Sequence, residues 1–152
     1  MALSSPSLDL AEHHSPLSGL FEQPTSPEEW EQYALTEEQI QHFQEHGYIT
    51  GLKILTEEQC DVLLEELDGI TQPDHPRYDC WYTPGPTWGG SEQSLLHALG
   101  AWRVGVGFHD LLWSPAFRMA AFQLLGGPFR FYHDQVFAKP PEKGGVVSWH
   151  QE

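Results

Sequence analysis

Polar residues that open helices recur at regular points in the first half of the chain. A Ser or Thr followed three residues later by Glu or Gln is the capping-box pattern that begins a helix. This pattern occurs at Ser26, Thr36 and Thr56. The first box predicts a short helix to about Ala34, and the second predicts a helix to His46.

The third box precedes a stretch whose apolar positions follow helical spacing, which indicates a helix with one buried face. The side chains on that face, which we expect in the core, are Cys60, Leu63, Leu64 and Leu67. The only other cysteine is Cys80, and no CxxC spacing occurs. A disulfide framework or a structural zinc site is therefore not expected.

The second half of the chain changes to shorter patterns. We expect strands over 48–52 and 102–108, a short helix over 95–99 and a helix over 115–125 that ends at a Gly-Gly pair. Residues 129–139 alternate strictly between two faces, which predicts a strand. One face of that strand would carry Phe129, Phe131, His133, Gln135, Phe137 and Lys139.

Helices followed by strands are typical of the α+β fold class. Residues 1–24 are rich in Ser, Pro and acids without periodicity, and they predict a disordered tail. Residues 71–94 predict a long loop rich in Pro, Gly and aromatic residues, and we assign 25–152 to a single domain.

The charge of the chain is uneven. The formal net charge is −15, and residues 1–70 hold fifteen acids against one base, a net of −14. Such a balance argues against a nucleic-acid partner and against binding to an anionic membrane, since both require clustered Lys and Arg. With no signal peptide and no apolar run of membrane-spanning length, we expect an intracellular, cytoplasmic protein.

The triplet His150-Gln151-Glu152 carries the most specific chemistry. On an extended strand, side chains at i and i+2 point to the same face. An imidazole and a carboxylate on one face are two of the three ligands that non-haem Fe(II) oxygenases use. The alternative interpretation is a polar chain end without a ligand role.

The residues before the triplet resemble a known motif. Residues 132–152 contain Lys139-Pro140-Pro141, then Gly144-Gly145, then Trp149-His150-Gln151-Glu152. This succession closely resembles the central motif of the phytanoyl-CoA dioxygenase family, and a weaker resemblance extends upstream to about residue 36. The family usually has Asp at the position of Glu152.

The resemblance implies a non-haem Fe(II)- and 2-oxoglutarate-dependent dioxygenase that uses molecular oxygen to hydroxylate an aliphatic carbon of a small molecule. The implied fold packs N-terminal helices on a double-stranded β-helix, a jelly-roll or cupin-like barrel. His150 and Glu152 match the metal ligands, and Gln135 and Arg103 match positions that contact 2-oxoglutarate. As alternatives, Gln135 is an ordinary polar strand residue and Arg103 forms a surface ion pair.

The implied barrel needs more chain than follows the first long strand. Eight strands at roughly 8–12 residues each require about 80 residues, whereas 24 remain from Phe129 onward. We therefore expect a truncated domain, inactive by itself, with the third ligand and a basic cosubstrate contact beyond Glu152. The alternatives are a non-catalytic relative or short isoform that serves as an acidic interaction module, and a cupin-type barrel without oxygenase activity.

Overall fold

A computed structural model describes residues 9–72, 74–80, 96–139 and 149–151 of the chain. The regular elements within these residues are α1 Pro27–Glu31, α2 Glu37–His46, α3 Glu57–Ile70, β1 Leu96–Leu99, α4 Ala101–Val104, α5 Val106–Leu111, α6 Pro115–Leu125 and β2 Gln135–Ala138, with 3-10 turns at Leu10–Glu12 and Tyr78–Cys80. The predicted loop over 71–94 lies mostly outside the described residues, as does the predicted turn at 144–145.

Local capping begins the N-terminal helices where the sequence predicts them. The hydroxyls of Thr36 and Thr56 accept hydrogen bonds from the backbone N–H three residues later, both at 3.2 Å. The side-chain amide oxygens of Gln39 and Gln59 in turn accept the N–H of the two threonines at 2.9 Å. Ser26 caps α1 through its hydroxyl. Because these bonds satisfy donors that a helix start leaves open, all three predicted starts are confirmed.

The buried face of α3 differs from the predicted one. Leu63 and Ile70 are buried, whereas Leu64 is 62% exposed and Cys60 is also exposed. The helix is turned so that Glu66, rather than Leu64, points at a neighbouring element: its carboxylate accepts two backbone N–H groups of α5. The prediction that Cys60 and Leu64 lie in the core was therefore wrong, because tertiary bonds of a polar residue set the rotation.

The segment 95–108 has the reverse order of the predicted helix and strand. Strand β1 comes first, and α4 and α5 follow it. Gly100 has a φ of 97°, a left-handed conformation that turns the chain out of the strand. The Asp134 carboxylate then accepts the N–H groups of Gly100 and Trp102, both at 2.9 Å, and this holds the start of α4. The contacts that fix α4 span 32 residues or more, so the residue pattern within the segment does not predict this helix.

The described strands form one antiparallel pair. β1 and β2 are in register with Leu96 opposite Ala138 and Leu99 opposite Gln135. The strand predicted over 129–139 is confirmed only over Gln135–Ala138, which is the part that β1 pairs with. Residues 48–52, predicted as a strand, are irregular.

The N-terminal segment is packed where the structure describes it. Leu10 is 4% exposed and Phe21 is 5% exposed, and the backbone N–H groups of Leu17 and Ser18 bond to Asp110. The prediction of a disordered tail over 1–24 therefore does not hold for residues 9–24, because two apolar side chains and one buried carboxylate anchor them. Residues 1–8 lie outside the described part.

A small core joins the helices to the sheet. Ile70 of α3 packs with Ala101 and Val104 of α4, and Val136 of β2 lies against this cluster. The described chain is thus a mixed helix and sheet structure, as the predicted α+β class requires. None of its described helices is both long and apolar enough to cross a membrane.

Candidate functional site on the two-stranded sheet

One face of the β1–β2 pair brings together polar and aromatic side chains from distant parts of the sequence. His97 of β1 lies opposite Phe137 of β2, and their rings stack at 4.3 Å between centroids with an interplanar angle of 14°. Residues two apart on a strand share a face, so Gln135 lies beside Phe137 on the same side. The Nε2 atom of His97 is 3.0 Å from Oε1 of Gln135.

The amide of Gln135 links two imidazoles. Its oxygen faces His97, and its nitrogen lies 3.3 Å from Nε2 of His133. A side-chain amide accepts at oxygen and donates at nitrogen. The amide of Gln135 thus bridges Nε2 of His97 and Nε2 of His133. One further amide N–H of Gln135 remains for a ligand on this exposed face.

His97 has a second ring nitrogen that is not hydrogen-bonded. This Nδ1 atom is buried and has no hydrogen-bond partner in the described structure. A buried polar atom without a partner is destabilising. The sequence prediction placed His97 in a helix and so gave it no role. Only the strand register, which needs the pairing of residues about forty positions apart, identifies it.

Arg103 lies in α4 and binds a carboxylate of the chain itself. Its guanidinium forms an ion pair with Asp9, and Nε lies 3.1 Å from both carboxylate oxygens. Hydrogen bonding to Arg103 lowers the pKa of Asp9, and hydrogen bonding to Asp9 raises the pKa of Arg103. This intramolecular ion pair agrees with the alternative interpretation of Arg103, and it occupies the guanidinium that the family resemblance matched to a 2-oxoglutarate contact.

The predicted metal ligands are described only in part. His150 is exposed, and Glu152 lies outside the described residues. Trp149 is fully exposed. The described residues contain no group of three His, Cys, Asp or Glu side chains that could hold a metal ion.

Comparisons with known proteins add no relative to this description. Neither protein-family models nor curated proteins gave a match to the chain. The family resemblance therefore rests on the motif in residues 132–152, of which the structure describes 132–139 and 149–151.

Proposed function

We propose that the chain supplies part of the active site of a non-haem Fe(II)- and 2-oxoglutarate-dependent dioxygenase, similar to phytanoyl-CoA dioxygenases, that hydroxylates a small molecule. The observation that carries the proposal is the ordered succession of Lys139-Pro140-Pro141, Gly144-Gly145 and Trp149-His150-Gln151-Glu152. Short triplets of this kind arise by chance, whereas the whole succession at these spacings is specific.

The donor types of the proposed site fit Fe(II). His150 offers an exposed imidazole, and Glu152 offers a carboxylate, and both groups bind this ion. Bound iron with 2-oxoglutarate would supply the activation of molecular oxygen. The described residues do not complete a three-ligand set. The proposal therefore includes a third ligand from outside them.

The sheet face offers a second element of the proposed site. Gln135 donates through its amide nitrogen, and His97 holds the amide oxygen at 3.0 Å, which fixes the direction of the N–H groups. A carboxylate such as that of 2-oxoglutarate accepts such donors. We assign cosubstrate contact to Gln135 and the positioning of its amide to His97. Arg103 is paired with Asp9. Contact between Arg103 and 2-oxoglutarate therefore requires that the cosubstrate displace Asp9.

Iron titration under anaerobic conditions tests the ligands. We expect Fe(II) binding to strengthen when 2-oxoglutarate is present, to be lost in His150→Ala, and to persist in His46→Ala. His46 is the matched control, because it is an exposed histidine on α2 that lies outside the proposed site. Iron binding that His150→Ala leaves unchanged would contradict the proposal.

A gene product that continues past Glu152 tests the activity. We expect it to convert 2-oxoglutarate to succinate, and His150→Ala to abolish that conversion. His97→Ala should weaken the affinity for 2-oxoglutarate more than the affinity for Fe(II). Turnover of 2-oxoglutarate that His150→Ala leaves unchanged would overturn the assignment.

A second candidate is an acidic interaction module, favoured by the charge of the N-terminal helices. Pairs of acids occupy the first turns of α1, α2 and α3, at Glu28-Glu29, Glu37-Glu38 and Glu57-Glu58, and all six side chains are exposed. Salt-sensitive binding of a polylysine peptide, lost when Glu37 and Glu38 become Gln, would support this function. If no such binding occurs, the position of these six acids is explained by their favourable interaction with the helix dipoles alone.

A further inference from the structure

We infer that an aromatic groove around Arg118 binds a small carboxylate with a flat apolar body. The groove, called the Arg118 groove here, is a cavity of about 510 Å³ lined by residues of α4, α5, α6 and the segment after α6. Its size falls within the range of roughly 300–1,000 Å³ that is usual for small-molecule sites. The inference is independent of the proposed iron site, which uses other residues.

Aromatic side chains form the walls of the Arg118 groove and stay partly open to solvent. Phe122 is 49% exposed, Phe129 is 36% exposed and Phe131 is 38% exposed. Phe131 meets the ring of Trp102 edge-to-face at 5.3 Å, which fixes one wall. A flat ring entering the groove would cover these faces and gain from offset or edge contacts.

A second cavity of about 250 Å³ adjoins the first. It shares Arg118, Phe122 and Phe129 with the Arg118 groove and adds Trp30 and Met119. The guanidinium therefore lies at the junction of two aromatic cavities. A ligand with one charged end can place that end at the junction and its apolar body in the larger cavity.

Among the residues that the structure describes, the cation at this junction has no carboxylate partner. The guanidinium carbon of Arg118 lies 5.2 Å from the ring centre of Trp30 and 5.5 Å from that of Trp113, both within cation–π distance. Among the described residues no carboxylate forms an ion pair with Arg118. Its one described hydrogen bond is a long one, 3.4 Å to the Gln23 amide oxygen.

This environment selects an anion with a planar end. Both indole rings lie within cation–π distance of the guanidinium carbon, and the N–H groups of a guanidinium can bind a carboxylate at two oxygens. His13 and His14 also line the groove, and no Asp or Glu does so among the described residues. Among the described residues, Arg118 is the one Lys or Arg side chain that lines the groove.

Calorimetric titration with 2-naphthoate tests the inference, with 2-naphthamide as the uncharged control of the same shape. We expect naphthoate to bind and the amide to bind at least about tenfold more weakly, because a charge-assisted pair is lost. Arg118→Gln should weaken naphthoate binding by about tenfold or more. Arg130→Gln should not, since Arg130 is exposed and does not line the groove.

A second pair of variants tests the aromatic wall without removing the cation. Phe122→Ala should weaken naphthoate binding, whereas Leu125→Ala, 66% exposed on the same helix, should leave it unchanged. Thermal unfolding of each variant separates a lost site from a lost fold. Equal affinity for acid and amide, equal losses in Arg118→Gln and Arg130→Gln, or no binding would overturn the inference. Dimerisation that Phe122→Ala abolishes, without naphthoate binding, would assign the groove to a second copy.

Discussion

The carboxylate of Asp110 connects the N-terminal segment to α5 from a buried position. Its side chain is 1% exposed and accepts hydrogen bonds from the N–H groups of Leu17 and Ser18, from the Ser18 hydroxyl and from Nδ1 of His109. Burial alone would raise the pKa of Asp110, but the bonds from Ser18, His109 and Leu17 outweigh it, so the pKa is lowered. The ionised form is therefore the one that the fold stabilises.

Asp110→Asn should lower the free energy of unfolding by about 2 kcal/mol near neutral pH, because hydrogen bonds to a charged acceptor are lost. A group with a lowered folded-state pKa contributes stability above its unfolded value of about 3.9 and loses it as the pH falls through the folded value. The deficit of the variant should therefore shrink in acid. Urea unfolding across pH measures this. Asp61→Asn, at an exposed site on α3, should change the free energy of unfolding at neutral pH by less than about 0.5 kcal/mol.

At the scale of elements, the Glu66 carboxylate of α3 caps the first turn of α5. Its two carboxylate oxygens accept the N–H groups of Gly107 and Phe108, each at 3.0 Å, in place of a local cap. The approach leaves no room for side chains at the glycines. A Cβ at Gly105 would lie 2.6 Å from the Glu66 carboxylate, and one at Gly107 would lie 2.9 Å from it. Gly105 and Gly107 are therefore needed for the close approach of the Glu66 carboxylate to α5.

Gly105→Ala should destabilise the protein by about 1–2 kcal/mol, because the carboxylate of Glu66 must withdraw and lose its bonds to α5. Gly69→Ala is the matched control, since a Cβ there meets nothing within 4 Å and its φ is not positive. This control should stabilise by about 0.5 kcal/mol through helix propensity. Chemical denaturation of both variants gives the comparison. Equal effects of the two substitutions would contradict the proposed role of Glu66.

The elements predicted well are those with local signals. Thr36, Thr56 and Ser114 cap the helices that follow them, and each bond spans three residues. The segment 95–108 was mispredicted because its structure depends on Asp134 and Glu66, which lie far away in sequence. The glycines of this segment can be recognised from the local sequence. The distant carboxylates that accept their N–H groups cannot.

At the scale of the whole molecule, the segment 9–24 belongs to the folded body. Phe21→Ala should lower the free energy of unfolding by about 3 kcal/mol, because the side chain is 5% exposed and its removal leaves a cavity. Leu17→Ala, 39% exposed on the same segment, should change it by less than about 0.5 kcal/mol. Calorimetric unfolding measures both. If Phe21→Ala left the free energy of unfolding unchanged, the result would support the prediction of a disordered tail over 1–24 instead.

The candidate site shows the same division between local and tertiary information. The motif in 132–152 resembles that of a family of iron-dependent oxygenases, and Gln135 was singled out by its place in that motif. His97 could not be, because it meets Gln135 only through the β1–β2 register. The partner of Arg103 could not be predicted from the sequence either, since Asp9 lies 94 residues away in a segment predicted to be disordered.

The sequence by itself determined the helix starts and the acidic character of the first 70 residues. These follow from residues within a few positions of one another, where capping bonds and side-chain periodicity act. Tertiary structure decided the rotation of α3, the order of β1, α4 and α5, and the packing of 9–24. Each of these depends on a carboxylate, Glu66, Asp134 or Asp110, that bonds to backbone groups remote in sequence. A buried carboxylate must find such donors, and only the folded chain brings them to it.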